Sequence, residues 1–116
     1  TVISTGMSMG GTGAMIAAHY MNVTRVVPFV PQINLKTSSW KQYYRRWMND
    51  LEYTVPTAQS NYEIHVGNLE CDIQQVDILE EYENVQIKIW SECLDHQLPR
   101  YLKSQNLLYS TILGIE

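Results

Sequence analysis

Basic residues are scarce: 8 lysines and arginines stand against 12 aspartates and glutamates, a formal charge of −4 over 116 residues. Lys41 with Arg45 and Arg46 is the only local basic cluster, so no positive field is offered to a phosphate backbone and nucleic acid is not an expected partner. Cysteine is rarer, with only Cys71 and Cys93, too few for a disulfide framework and without the spacing of a metal site. Two reduced thiols in a cytoplasmic protein are expected, although nothing in the sequence forbids a bridge between them. Long apolar runs are missing as well. None approaches the roughly 20 residues of a membrane span, and no basic start followed by an apolar core suggests a signal peptide. Repeats and low-complexity tracts are absent, and the length suits one domain around one core.

What is present is an alternation of strand-like and helix-like segments. Residues 1–5 alternate polar and apolar with β-branched Val2 and Ile3, and residues 14–21 turn apolar at helical spacing. A second strand is expected over 24–30, with Pro28 marking a place where it ends, bulges or pairs weakly, because proline brings no ladder donor. Trp40, Tyr43, Tyr44, Trp47, Met48 and Leu51 recur at steps of three and four, which predicts an amphipathic helix over 40–51. Strands at 62–67 and 85–90 flank a helix expected over 73–82, with Ile73, Val76, Ile78 and Leu79 inward and Asp72 as its cap. A last apolar segment covers 107–113. Helix-sized connections between successive strands predict an α/β domain with a parallel sheet of about four strands in sequential order, flanked by helices. In such sheets the functional side chains collect on loops at the carboxyl ends of the strands.

The first of those loops reads Gly6-Met7-Ser8-Met9-Gly10. A serine between glycines at a strand-to-helix turn is the pattern of a nucleophile elbow: the turn is tight, the hydroxyl is lifted above the sheet, and the first helical N–H groups face whatever it attacks. Phosphate-binding loops need other spacings, since a Walker loop ends in Gly-Lys-Ser/Thr and a dinucleotide fingerprint reads Gly-x-Gly-x-x-Gly. A glycine-rich packing turn is the remaining alternative.

A serine hydroxyl is a weak nucleophile and needs a base within hydrogen-bond reach and a third group to fix the base's tautomer. His96 follows the fourth strand in LDHQL and Asp72 follows the third, which gives the chain order Ser, acid, His. Glu70, three residues after Gly67, is the alternative acid. Asp72 is preferred because a short carboxylate is the more usual third member. Asp95 is too close to His96 in sequence to reach the far ring nitrogen and is expected to cap its turn. His19, on the first helix, and His65, inside a strand, are expected to be packed or solvent-facing, since neither falls on a carboxyl-edge loop. The aromatic stripe of 40–51 is expected to be core.

With GMSMGG, YEIHVGNLECD and QIKIWSECLDHQL in this order, essentially the whole chain resembles the C-terminal half of an α/β-hydrolase. The resemblance implies Ser8 as nucleophile, His96 as general base and later acid, Asp72 as orienting carboxylate, and the Met9 N–H as one oxyanion donor. It implies no cofactor and no metal. The implied function is a serine hydrolase of esterase, thioesterase or glycan-deacetylase type, acting on a small-molecule or glycan ester through an acyl-serine intermediate. The alternative is a non-catalytic α/β-hydrolase-like module for assembly or binding. The second oxyanion donor of that superfamily comes from an upstream loop that this sequence lacks. The expectation is therefore a fragment without its N-terminal half, whose first strand is a bare edge that pairs with that half or with a second copy.

Overall fold

The computed structural model of the chain describes residues 1–33 and 54–115, so the expected aromatic helix over 40–51 lies outside the described residues. Strands β1 (Ile3–Met7), β2 (Arg25–Phe29), β3 (Asn61–Gly67) and β4 (Val85–Trp90) form one sheet in the order β1-β2-β3-β4, every pair parallel. Helices α1 (Met9–Ala17), α2 (Glu70–Val76), α3 (Leu98–Ser104) and α4 (Leu108–Leu113) flank it, and the 3-10 turn Asp77–Glu81 extends α2. The α/β class and the sequential parallel sheet expected from the alternation are therefore observed.

Burial explains why β2 reads as an apolar run. Val26, Val27 and Phe29 in β2, and Tyr62, Ile64 and Val66 in β3, are buried together with Met15 and Ala18 near the first helix and Leu98 and Leu102 of α3. Parallel strands covered on both faces have no solvent side on which to alternate. Pro28 sits inside β2 rather than ending it, opposite Gly6 of β1. Its cost falls on the other flank. Pairing of β2 with β3 holds at Arg25–Asn61, Val26–Tyr62 and Phe29–His65 and lapses between them. Val30 N–H donates to His65 O while Phe29 O accepts from Ser8, so even-numbered positions of β2 face β3 and the missing proline N–H lies on that side.

Three expected boundaries are corrected. The first strand runs over Ile3–Met7, not 1–5, and the first helix begins at Met9, not Ala14, so the connection is the single residue Ser8. Propensity disfavours Gly10, Gly11 and Gly13 in a helix, but close packing overrides it at Gly11, where an added Cβ would lie 3.1 Å from Phe29 O and 3.2 Å from Gly6 O. The helix expected over 73–82 begins at Glu70 and tightens to 3-10 at Asp77. The change from 3.6 to 3.0 residues per turn rotates the later positions, so Val76 and Leu79 are buried while Ile78, expected inward, is 68% exposed.

The sheet's two faces differ in polarity. Arg25, Glu63, His65, Lys88 and Trp90 share one face by register. There the Arg25 guanidinium bonds both Glu63 and the Ile112 carbonyl near the end of α4, and so ties β2 to the last helix. His65 is fully buried, stacked on Phe29, and its Nδ1 accepts from Trp90 Nε1 at 3.0 Å, which leaves the proton on Nε2, 3.3 Å from Glu63 Oε1. Of the two settings expected for His65, packed or solvent-facing, the packed one is observed. Both cysteines are free thiols, Cys71 exposed and Cys93 buried. Among the described residues no helix is long and apolar enough to cross a membrane.

Candidate active site

The carboxyl ends of β1, β3 and β4 each deliver one side chain to a common point. Ser8 is the whole of the β1–α1 turn, with φ 54° and ψ −117°, a conformation disfavoured for any residue with a Cβ. Its N–H donates to Phe29 O at 2.8 Å, which fixes the turn to the end of β2. Serine at a helix N-cap ordinarily turns its hydroxyl back to the first-turn N–H groups, but Ser8 makes no such bond. The hydroxyl is instead turned to the imidazole of His96.

The glycines have unequal roles in this turn. A Cβ on Gly6 would meet the Gly10 carbonyl oxygen at 2.3 Å, a backbone atom that cannot move aside, whereas a Cβ on Gly10 would meet nothing. Of the two glycines that flank the serine, only Gly6 makes room for the turn. Gly11 supplies the second close approach. Because α1 starts at Met9, the N–H groups of Met9, Gly10 and Gly11 have no partner within the helix, and Thr12 N–H makes the first helical bond, to Ser8 O.

The histidine loop is seated by a third glycine. A Cβ on Gly67, at the end of β3, would approach Cys93 O to 2.8 Å and Asp95 O to 3.0 Å, so the loop after β4 crosses directly over β3 only because position 67 has no side chain. Asn68 N–H donates to Cys93 O at 2.6 Å and Gln97 N–H to Asp95 Oδ1 at 2.6 Å. Asp95 therefore caps the turn from which His96 projects, as expected, and Leu98 and Leu102 anchor the helix that follows.

In this setting Ser8, His96 and Asp72 form one continuous chain of hydrogen bonds. His96 Nδ1 lies 2.9 Å from Asp72 Oδ2 and His96 Nε2 lies 3.0 Å from Ser8 Oγ. An ionised carboxylate only accepts, so Nδ1 carries the proton and the Nε2 lone pair faces the serine hydroxyl. Asp72 is buried, while the His96 side chain retains 20% exposure. Asp72 is not the cap of α2 but its third residue, with Leu69 at the N-cap. The helix therefore starts earlier than expected and turns Asp72 inward.

Glu70, the alternative acid, is exposed, and its Oε1 accepts from Gln74 Nε2 one turn further along α2. It does not join the chain of bonds at His96. His19 is exposed, with Nε2 2.7 Å from Val55 O, and stands apart from the three. Among the described residues no group of three or more histidines, cysteines, aspartates or glutamates could hold a metal ion.

Sequence reasoning passed over Thr12 and Gln32. Thr12 Oγ1 bonds the Gln32 backbone, and Gln32 Nε2 reaches Asp72 Oδ1. The available signal was Gln32's place just past the carboxyl end of β2, on the same edge as the other loops. A pocket of about 450 Å³ lies elsewhere, between α4 and the polar sheet face, lined by Arg25, Glu63, His65, Lys88 and Trp90 among others and by none of the three linked residues.

Compared with models of known protein families, with curated proteins and with solved structures, the chain matches none.

Proposed function

We propose that the chain carries the catalytic residues of a serine hydrolase of α/β-hydrolase type, acting on an ester, thioester or acetylated glycan. The observation that carries this reading is the unbroken hydrogen-bond chain from Ser8 Oγ through both His96 nitrogens to Asp72. As Ser8 Oγ bonds to the substrate carbonyl carbon, its proton passes to His96 Nε2 and the carbonyl pair moves onto oxygen. Asp72 stabilises the resulting imidazolium through Nδ1–H. The Met9 N–H, unpaired within α1, is the donor for the developing oxyanion. Collapse expels the alkoxide or thiolate, which takes the proton from Nε2. Water then repeats the sequence on the acyl-serine and restores the hydroxyl.

Incubation with a fluorophosphonate probe followed by peptide mass analysis tests the reading. Modification of Ser8, lost in His96→Ala, is the expected result. An unlabelled Ser8 in folded protein would favour the non-catalytic binding or assembly module instead.

A further inference from the structure

Gln32 closes the line of catalytic bonds into a ring. Its carboxamide Nε2 donates toward Asp72 Oδ1 at 3.4 Å and toward Val30 O at 3.3 Å. Two acceptors on one nitrogen fix the orientation of the amide, because the flipped form would set Oε1 against two oxygens. Its backbone is held just as closely: Gln32 N–H donates to Thr12 Oγ1 at 3.0 Å, and Thr12 Oγ1 donates to Gln32 O at 2.9 Å. Thr12 belongs to the first turn of α1, where its own N–H bonds Ser8 O. From Ser8 the path therefore runs through His96, Asp72, Gln32 and Thr12 and returns to Ser8.

All three supporting groups lie out of water, with Thr12 1%, Gln32 2% and Asp72 3% exposed. Solvent cannot replace a lost member there, so each bond in the ring counts for more than its surface equivalent. A second strut runs from the same segment, Ile33 N–H to Gln75 Oε1 at 2.9 Å, and ties the stretch after β2 to α2. The backbone is strained to reach this position. Val30, a β-branched residue, holds φ 45° immediately before Pro31-Gln32.

We infer that Gln32 is a positioning residue for the acid: it holds Asp72 Oδ1 so that Oδ2 meets His96, and through Thr12 it sets the distance between acid and nucleophile. This inference rests on the hydrolase reading for its kinetic consequence. Ser8 and Asp72 sit on different elements, and without the ring their separation would depend on the loops after β1 and β3.

Four proteins test it: the unaltered full chain, Gln32→Leu, Gln32→Glu, and His96→Gln as the reference for the NMR signal. Hydrolysis of a p-nitrophenyl ester is followed across pH, and the His96 Nδ1–H proton is followed by NMR at low field, assigned by its loss in His96→Gln. Gln32→Leu should lower kcat about 10- to 100-fold at nearly constant KM, with the Nδ1–H signal moved upfield or broadened. Gln32→Glu should recover activity only where pH is low enough to keep the new carboxyl protonated and high enough to leave the His96 imidazole neutral, because that carboxyl donates to Asp72 only while protonated. Its activity therefore falls as pH rises through that titration, where the unaltered protein's does not.

Unchanged kcat and an unchanged Nδ1–H signal in folded Gln32→Leu would overturn the inference, as would a Gln32→Glu pH profile parallel to that of the unaltered protein. If Gln32→Leu does not fold, Gln32→Glu decides by the same two readouts. If the unaltered protein shows no turnover while the Nδ1–H signal still responds to Gln32→Leu, the hydrolase reading fails and the positioning role stands.

Discussion

The His96 imidazole stands 3.0 Å from the Ser8 hydroxyl across a separation of 88 residues. Both lie at the carboxyl edge of one parallel sheet, where β1 and β4 are the outermost strands among the described residues. The contact thus spans the width of the sheet. It is achieved because Gly67 lets the histidine loop cross over β3 instead of rising beside β4.

The assignment of the acid predicts an asymmetry between two neighbouring carboxylates. Asp72→Asn keeps the side chain's size and burial but replaces the acceptor that holds Nδ1–H, and turnover should fall about 10⁴-fold by analogy with other triads. Glu70→Gln, altering an exposed group that among the described residues bonds only Gln74 on its own helix, should change kcat less than about twofold. Steady-state kinetics on the two variants checks both expectations, and a reversal would transfer the role to Glu70.

Two glycines in the same motif should respond oppositely to alanine. Gly6→Ala drives a methyl into the Gly10 carbonyl and should destabilise the fold by about 1–3 kcal/mol or more, with loss of probe labelling at Ser8. Gly10→Ala meets open space inside a helix and should be neutral or stabilising by about 0.4–1 kcal/mol. Urea denaturation of both variants measures the difference. Equal losses would mean that the turn is not as tight as the Gly6–Gly10 approach implies.

Stability should decline in mild acid because of His65. Burial pushes its pKa down from 6.5 to about 4, with Glu63 opposing and Lys88 and Arg25 adding to the fall. The unfolded chain then binds more protons than the folded one between these values, so the contribution is whole above pH 6.5 and is lost as pH falls to about 4. The loss is of the order of 3 kcal/mol at most. Urea midpoints for the unaltered protein and His65→Phe at pH 7 and pH 4.5 check it. The variant, with nothing to protonate at that site, should show the smaller acid loss; equal losses would place the acid sensitivity elsewhere.

The β1 margin should associate with another strand. β1 pairs only with β2 among the described residues, and Val2, just before it, is 47% exposed. An open strand flank without lysine or proline is a template for pairing, so a mass above the monomer is expected by light scattering at micromolar concentration. Val2→Lys should move the population toward monomer and Gln74→Lys, on exposed α2 surface, should not. A monomer in the unaltered chain would show that this flank is already covered.

The order of elements, the parallel sheet and the identities of Ser8, Asp72 and His96 as candidates are all legible from local pattern. β-branched runs separated by helix-sized connections define the α/β class, and carboxyl-edge loops define where polar residues collect. These are properties of short windows of sequence. The details that decide chemistry are of another kind. That the connection at Ser8 is one residue long, that Gly6, Gly11 and Gly67 rather than Gly10 make the close approaches, and that Asp72 rather than Glu70 meets His96 all depend on contacts between segments distant in the chain. Helix propensity placed the start of α1 five residues late because it counts a glycine's backbone entropy and not the Phe29 and Gly6 carbonyls packed against it. Gln32 went unread for the same reason. An uncharged polar residue after a strand has no pattern of its own, and only the fold, by burying it between Thr12 and Asp72, sets its backbone N–H on Thr12 and its carboxamide on Asp72 and the Val30 carbonyl.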